Sequence, residues 1–149
     1  MCPAGTPHSV SDGVLLIELQ EPTDFSVLLE TRGFPVSAED ARLGLPKDVA
    51  MSCVATSATP PELVERWRTP APGSLLPRDA APFFRAIPIE EGDILTEMSV
   101  LVVTDGSGDL VGEWQDVRLQ RGTTVLIPAA SAPVTVRGQV RAVACQPPA

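Results

Sequence analysis

Apolar and polar positions divide the chain into three stretches. In the first stretch, residues 14–20 have alternating faces: one face is apolar throughout, and the other is apolar at its start and polar at its last two positions. This pattern predicts a strand. Residues 25–30 predict a second, antiparallel strand beside it. In the middle stretch, residues 37–79, Ser37 precedes acidic residues and Thr59 precedes two prolines and an apolar face, as at the starts of helices. This stretch therefore predicts a helical insert, which ends in a Pro-rich connector.

In the third stretch, short apolar runs rich in Val, Leu and Ile are separated by glycines, which is typical of strands. An Asp-Gly-Ser-Gly sequence at residues 105–108 predicts a hairpin turn. Regularly spaced short strands favour a β-sandwich or jelly roll over a parallel α/β fold. The predicted strands are residues 83–89, 99–104, 109–115, 123–127, 133–136 and 140–145.

Charge and cysteine content exclude several classes of function. The formal net charge of −8 disfavours binding to nucleic acid or to an anionic membrane, so an anionic ligand needs a local basic patch or a metal. The three cysteines, Cys2, Cys53 and Cys145, are too few and too far apart to indicate a disulfide framework or a zinc finger. No apolar run approaches the roughly 18 residues of a membrane helix, and we expect a cytoplasmic protein.

The chain contains one histidine, His8, which follows a turn rich in Pro and Gly and precedes the first predicted strand. A turn that places an imidazole at the mouth of a β-barrel is typical of a metal ligand. The alternative is an ordinary turn histidine, which is the more common case for a lone histidine. Cys2 lies six residues before His8 across two prolines, a spacing that does not indicate a thiol–imidazole pair.

The residues of this turn carry a family motif. Pro3, Gly5 and His8 fit the pattern Pro-x-Gly-x-x-His, and the turn resembles the second signature motif of cupins, which are small double-sheet β-barrels that usually hold one metal.

The opening spacing of the motif recurs at Gly122 and Pro128, but Ala130 and Pro133 stand where the second glycine and the histidine would be. The resemblance therefore implies one metal-bearing and one metal-free cupin end.

A longer resemblance covers nearly the whole chain and is weakest over residues 36–79. The run Glu-x-Gln-Glu-Pro-Thr-Asp at residues 18–24 is its most specific part, and the chain resembles class I mannose-6-phosphate isomerase of the bacterial type. The other segments that carry the resemblance are residues 16–17, 27–30, 33–34, 101–106 and 121–130.

This resemblance implies zinc-dependent interconversion of mannose 6-phosphate and fructose 6-phosphate, with His8 as one zinc ligand. The family's other ligands, a Gln, a His and a Glu, lie upstream of the part that this chain matches. Glu18 and Asp24 match acidic positions that line the sugar pocket. The position of the family's active-site arginine falls near Leu28, so Arg32 is the closest basic residue for that role.

Each of these residues also has an ordinary interpretation. Glu18 is equally well a solvent-facing acid at a strand end, and Asp24 a turn residue that bonds its own backbone. Arg85 is a further candidate to face the phosphate, although an exposed surface charge is the more common role for such a residue.

We therefore expect a mostly β fold with cupin-like jelly-roll barrels and a short helical insert. Residues 1–36 would be the tail of the first, metal-bearing barrel, residues 37–79 the insert and connector, and residues 80–149 a metal-free barrel. The expected function is that of the C-terminal part of the isomerase, inactive alone and completed by a missing N-terminal segment or a partner chain. The alternative is a non-catalytic cupin-like protein that binds sugars or regulates.

Overall fold

The structure is a computed structural model that describes residues 1–21 and 25–148. The chain forms two compact units, one spanning Cys2–Pro60 and one that contains Met1 and the chain from Pro61 onward. The second unit holds one curled antiparallel sheet, and the helices of the chain are few and short. The prediction of a mostly β fold with a small helical part is therefore confirmed. Among the described helices, none has the length and apolar character needed to cross a membrane.

The unit Cys2–Pro60 contains a 3-10 helix at Asp40–Arg42 and the helix α1 at Lys47–Ser52. The first helical turn begins as predicted, because Ser37 Oγ accepts a hydrogen bond from the Asp40 N–H at 3.0 Å and donates one to the Asp40 carboxylate at 2.6 Å. Ala41 and Ala50, one from each helix, are the buried apolar residues of this unit among those described.

The two strands predicted near the start of the chain are not formed. Residues 14–20 and 25–30 carry no strand pairing in the described part of the chain, and their apolar side chains stay largely exposed, Leu15 at 73% and Phe25 at 80%. A strand is stable only through a ladder with a neighbour and through a covered apolar face. The alternating pattern supplies the apolar face but no neighbour, which is why the prediction was wrong.

The second unit begins with the helix α2, Pro61–Arg68, which starts at the predicted proline. A proline is tolerated at the first helical position because its missing N–H would have no partner inside the helix. A 3-10 helix follows at Arg78–Ala80, and its Asp79 forms an ion pair of 2.6 Å with Arg66 of α2.

Seven strands follow among the described residues up to 148, and all their pairings are antiparallel. The thirteen-residue strand β3 is the centre of the sheet. The first half of β3 pairs with β5 on one side and with β7 on the other. The second half pairs with β4 on the side of β5 and with β6 on the side of β7. The edge strands β1 and β2 lie beside β7 and β6. The strands are β1 Arg85–Ile89, β2 Ile94–Leu95, β3 Ser99–Val111, β4 Val117–Gln120, β5 Thr124–Ile127, β6 Val134–Arg137 and β7 Val140–Gln146.

The hairpin predicted at residues 105–108 is absent, because β3 continues through this segment with a register shift between Val103 and Asp105. A Cβ atom on Gly106 would lie 1.8 Å from the Gln139 carbonyl oxygen, and one on Gly108 would lie 2.0 Å from the Arg137 carbonyl oxygen. The two glycines therefore allow the bend at residues 138–139, between β6 and β7, to approach the backbone of β3, and they do not form a turn themselves.

The core lies on the inner face of the curled sheet, where buried residues alternate with partly exposed ones along β3 and β7. Small residues of β7 pack with larger ones of the neighbouring strands, and the largest fully buried apolar side chains are Leu101, Leu119, Val103 and Val136. Two polar residues, Ser99 and Gln146, are buried at one end of this face.

Candidate functional site

The turn before His8 is held by contacts within its own unit. The Thr6 N–H donates to Pro3 O at 3.1 Å, and the Ala55 N–H donates to Gly5 O at 2.8 Å. Gly5 has φ +81°, and a Cβ atom there would lie 2.7 Å from the Cys53 carbonyl oxygen. Gly5 is required both for its left-handed backbone conformation and for this close approach.

His8 is exposed at the end of this turn. Its Nδ1 lies 2.9 Å from the Thr6 carbonyl oxygen and 3.2 Å from the Cys2 sulfur. If Nδ1 carries the proton it donates to Thr6 O, and if it is unprotonated it accepts from the Cys2 thiol. In both cases the contacts use Nδ1, and the Nε2 atom is the one directed away from them.

The contact between Cys2 and His8 is a feature that the sequence did not predict. Two prolines separate the residues, and the turn centred on Gly5 reverses the chain so that the thiol reaches the ring. The signal that could have indicated it is the proline- and glycine-rich turn itself, because a tight turn brings its flanking residues together.

The other predicted site residues are not brought together around His8. Glu18 and Arg32 are both exposed, and no hydrogen bond or ion pair joins either of them to His8 in the described ranges 1–21 and 25–148. The backbone N–H of Arg32 donates to the Glu30 carboxylate at 3.0 Å, which is a contact within a turn. Asp24 lies outside the described residues.

A zinc site normally needs three or four protein ligands. Within the part of the chain that the structure describes, no three residues of the types His, Cys, Asp and Glu come close enough together to hold a metal ion. Cys2 and His8 supply two donor atoms, with Thr6 O beside them. These residues alone do not fit a zinc ion, so no chemical step can be assigned to zinc here.

The recurring motif in the second unit keeps its scaffold. Gly122 has φ +88° in the turn between β4 and β5, and Pro128 precedes a 3-10 helix that contains Ala130. Pro133 stands exposed just before β6. Neither an alanine nor a proline side chain offers an atom to a metal.

A shallow groove of about 420 Å³ lies where β3 bends, beside the end of β1. Arg141 Nη2 donates to Asp105 Oδ2 at 2.5 Å across it. This hydrogen bond and the positive charge of Arg141 lower the pKa of Asp105, and the same hydrogen bond and the negative charge of Asp105 raise the pKa of Arg141. Three carboxylates against one guanidinium make the groove unsuited to an anionic sugar phosphate. It is lined by Glu90, Glu91, Asp105, Gly106, Gln139, Val140 and Arg141.

The sequence did not predict this groove, because it requires β3 to continue where the Asp-Gly-Ser-Gly pattern predicted a turn. Arg85, the further candidate for phosphate binding, lies at the opposite end of β1 from Glu90. Its Nε donates to Pro147 O at 2.9 Å and its Nη2 contacts the Glu97 carboxylate. The guanidinium is therefore already engaged by protein acceptors.

Comparison with known proteins places a family resemblance on the second unit. Residues 93–147, a little over a third of the chain, match the model of the family described as mannose-6-phosphate isomerase, cupin domain. This segment contains β2 to β7. A search of curated proteins found no match.

Three solved structures are also similar. The EutQ protein of Clostridium difficile matches at 18% identity and a TM-score of 0.42, over 50% of this chain and 64% of that one. A cupin-2 domain protein from Shewanella frigidimarina matches at 15% identity and a TM-score of 0.37, over 53% and 79%. A cupin 2 barrel protein from Salinispora arenicola matches at 16% identity and a TM-score of 0.37, over 61% and 87%. At these low values no functional argument rests on them.

The family match and the curled antiparallel sheet agree in position, since the matched segment begins just before β2 and ends just after β7. The C-terminal sheet is thus similar to the cupin domain of mannose-6-phosphate isomerases, which supports a relation of this chain to the cupin superfamily.

Proposed function

We propose that the chain is the C-terminal part of a class I, zinc-dependent mannose-6-phosphate isomerase, and that its sheet is the metal-free cupin domain of that enzyme. The observation that carries the proposal is the family match over residues 93–147. The sheet formed by these residues has an apolar core of its own, so it can serve as a scaffold without a metal.

In this proposal the first unit contributes to the catalytic barrel. Residues 14–20 have alternating faces, and both they and residues 25–30 carry exposed apolar side chains, which is what strands need when their neighbours come from another segment. His8 would supply one zinc ligand and Glu18, Asp24 and Arg32 would line the sugar pocket. The remaining ligands would come from an N-terminal segment or a partner chain, because the described residues do not complete a zinc site.

The test is turnover of mannose 6-phosphate by the 149-residue chain, alone and mixed with the N-terminal half of a bacterial class I isomerase, in a coupled assay with and without zinc. We expect no turnover by the chain alone and zinc-dependent turnover by the mixture. Turnover by the chain alone that disappears in the variant His8→Ala would contradict the proposal, since a complete site would then lie within these residues.

A second measurement separates this function from the alternative. If the mixture stays inactive while the chain alone binds mannose 6-phosphate in isothermal titration calorimetry, the chain is a non-catalytic sugar-binding protein. The control is Arg118→Ala, which removes an exposed surface ion pair with Asp109 in the second unit and should leave both turnover and binding unchanged.

A further inference from the structure

A row of polar side chains crosses one end of the inner face of the sheet. The Gln146 amide nitrogen donates to Ser99 Oγ at 2.9 Å, and the Ser99 hydroxyl donates to the Glu97 carbonyl oxygen at 3.1 Å. Ser99 is fully buried and Gln146 is 7% exposed. Because Ser99 uses its one proton on Glu97, its oxygen must accept from the amide nitrogen, which fixes the orientation of the Gln146 amide.

The amide oxygen of Gln146 is also buried, and no donor in the described ranges 1–21 and 25–148 lies within hydrogen-bonding distance of it. Arg85, which lies opposite Gln146 in the ladder, directs its Nε to Pro147 O and its Nη2 to Glu97. A buried acceptor without a partner shifts the folding equilibrium towards the unfolded state by about tenfold or more, so this oxygen needs a donor.

We propose that one internal water molecule donates a hydrogen bond to Gln146 Oε1 and is a structural ligand of this polar row. Buried polar groups that lack a protein partner are generally satisfied by ordered water, which is held by two to four polar atoms. Further acceptors adjoin the row, since the carbonyl oxygen of Glu97 accepts from Ser99 and that of Pro147 accepts from Arg85, the ladder partner of Gln146. The water would connect the ends of β1, β3 and β7.

This inference goes beyond the proposed function and does not depend on it. It assigns Arg85 to a structural network, because the guanidinium bonds are made to the same segments that surround the buried amide. Phosphate recognition in the proposed enzyme would then come from another residue.

The test combines a high-resolution crystal structure of the full chain with urea unfolding of the variant Gln146→Met. We expect a water oxygen about 3 Å from Gln146 Oε1. Removal of an amide whose hydrogen bonds are all made should raise the unfolding equilibrium constant about fivefold or more. A dry oxygen, or a protein donor at that distance, would overturn the proposal. So would a variant with a lower unfolding constant, because loss of an unpaired buried acceptor stabilises the folded state.

The matched control is Gln120→Met, which replaces an exposed amide on the edge strand β4. Its unfolding constant should stay within about twofold of the parent value. If Gln120→Met and Gln146→Met raise the unfolding constant equally, the effect belongs to the methionine and the proposed water site is refuted.

Discussion

The bend in β3 gives the most direct prediction about stability. Replacing Gly108 by alanine places a Cβ atom 2.0 Å from the Arg137 carbonyl oxygen and 2.7 Å from a methyl carbon of Val140. The backbone of Gly108 is not in the left-handed region, so alanine can adopt its conformation and the overlap alone decides the effect. A backbone carbonyl cannot move aside as the end of a flexible side chain can.

The magnitude follows from the contacts that must separate. Relieving the overlap to an ordinary contact of 3.4 Å requires the two backbones to move apart by about 1.4 Å. Such a shift breaks the bond from the Ser107 N–H to Gln139 O, now 2.9 Å long, and weakens the ladder between Asp109 and Arg137. Overpacking costs about 1–3 kcal/mol and each lost hydrogen bond about 1 kcal/mol, so we expect a loss of roughly 4 kcal/mol.

The assay is thermal and urea unfolding followed by circular dichroism. A loss of about 4 kcal/mol lowers the melting temperature of a unit of this size by about 15–30 °C, or prevents folding. The matched control is Gly122→Ala, where φ is +88° and no atom lies within 4 Å of the new Cβ, so only backbone strain of about 1–2 kcal/mol is expected. If the free energy of unfolding of Gly108→Ala lies within about 1 kcal/mol of the parent value, the close approach is not a structural requirement.

Two further predictions concern titratable groups. The ion pair with Arg141 lowers the pKa of Asp105 below its value in the unfolded chain. The pair therefore stabilises the fold at pH values above the pKa of the unfolded chain, and this contribution is lost as the pH falls through the pKa in the folded protein. In Asp105→Asn, the free energy of unfolding should therefore decrease slightly less as the pH falls below about 4. Urea unfolding at several pH values measures this, and an unchanged pH dependence would contradict the pairing. Burial raises the pKa of the Cys145 thiol, so iodoacetamide should alkylate Cys145 more slowly than the exposed Cys2 and Cys53. Mass spectrometry follows the three rates, and equal rates would refute this order.

The strands of the second unit were predictable where local pattern and local structure coincide. The strands β1, β5, β6 and β7 lie within two residues of the predicted segments, because each is a short apolar run with its own alternation. The strands β2 and β4 were missed, since β2 has only two residues and β4 only four, which is too few to show a clear periodicity. The long strand β3 was divided in two, because an Asp-Gly-Ser-Gly sequence looks the same whether its glycines form a turn or admit another backbone.

The first unit shows the limit of pattern alone. Residues 14–20 have the alternation of a strand, but the pattern says nothing about whether a neighbouring strand exists. The candidate site has the same difficulty, because ligands of one metal usually come from distant parts of a chain. The sequence predicted the turn before His8, and the structure has one, but the contact of His8 with Cys2 depends on the three-dimensional path through Gly5.

Comparison of the two copies of the motif separates scaffold from chemistry. In the second copy, the Gly122 turn and the Pro128 break persist although Ala130 and Pro133 offer no ligand atoms, so the spacing there is maintained by backbone geometry. The first copy follows the same rule, because the turn at Gly5 is anchored by main-chain contacts to residues 53–55. His8→Ala removes the ring contacts with Thr6 O and Cys2 but leaves these main-chain anchors in place, so we expect the turn to persist. If the proposed function holds, a loss of activity in that variant would then indicate a lost ligand and not a lost fold.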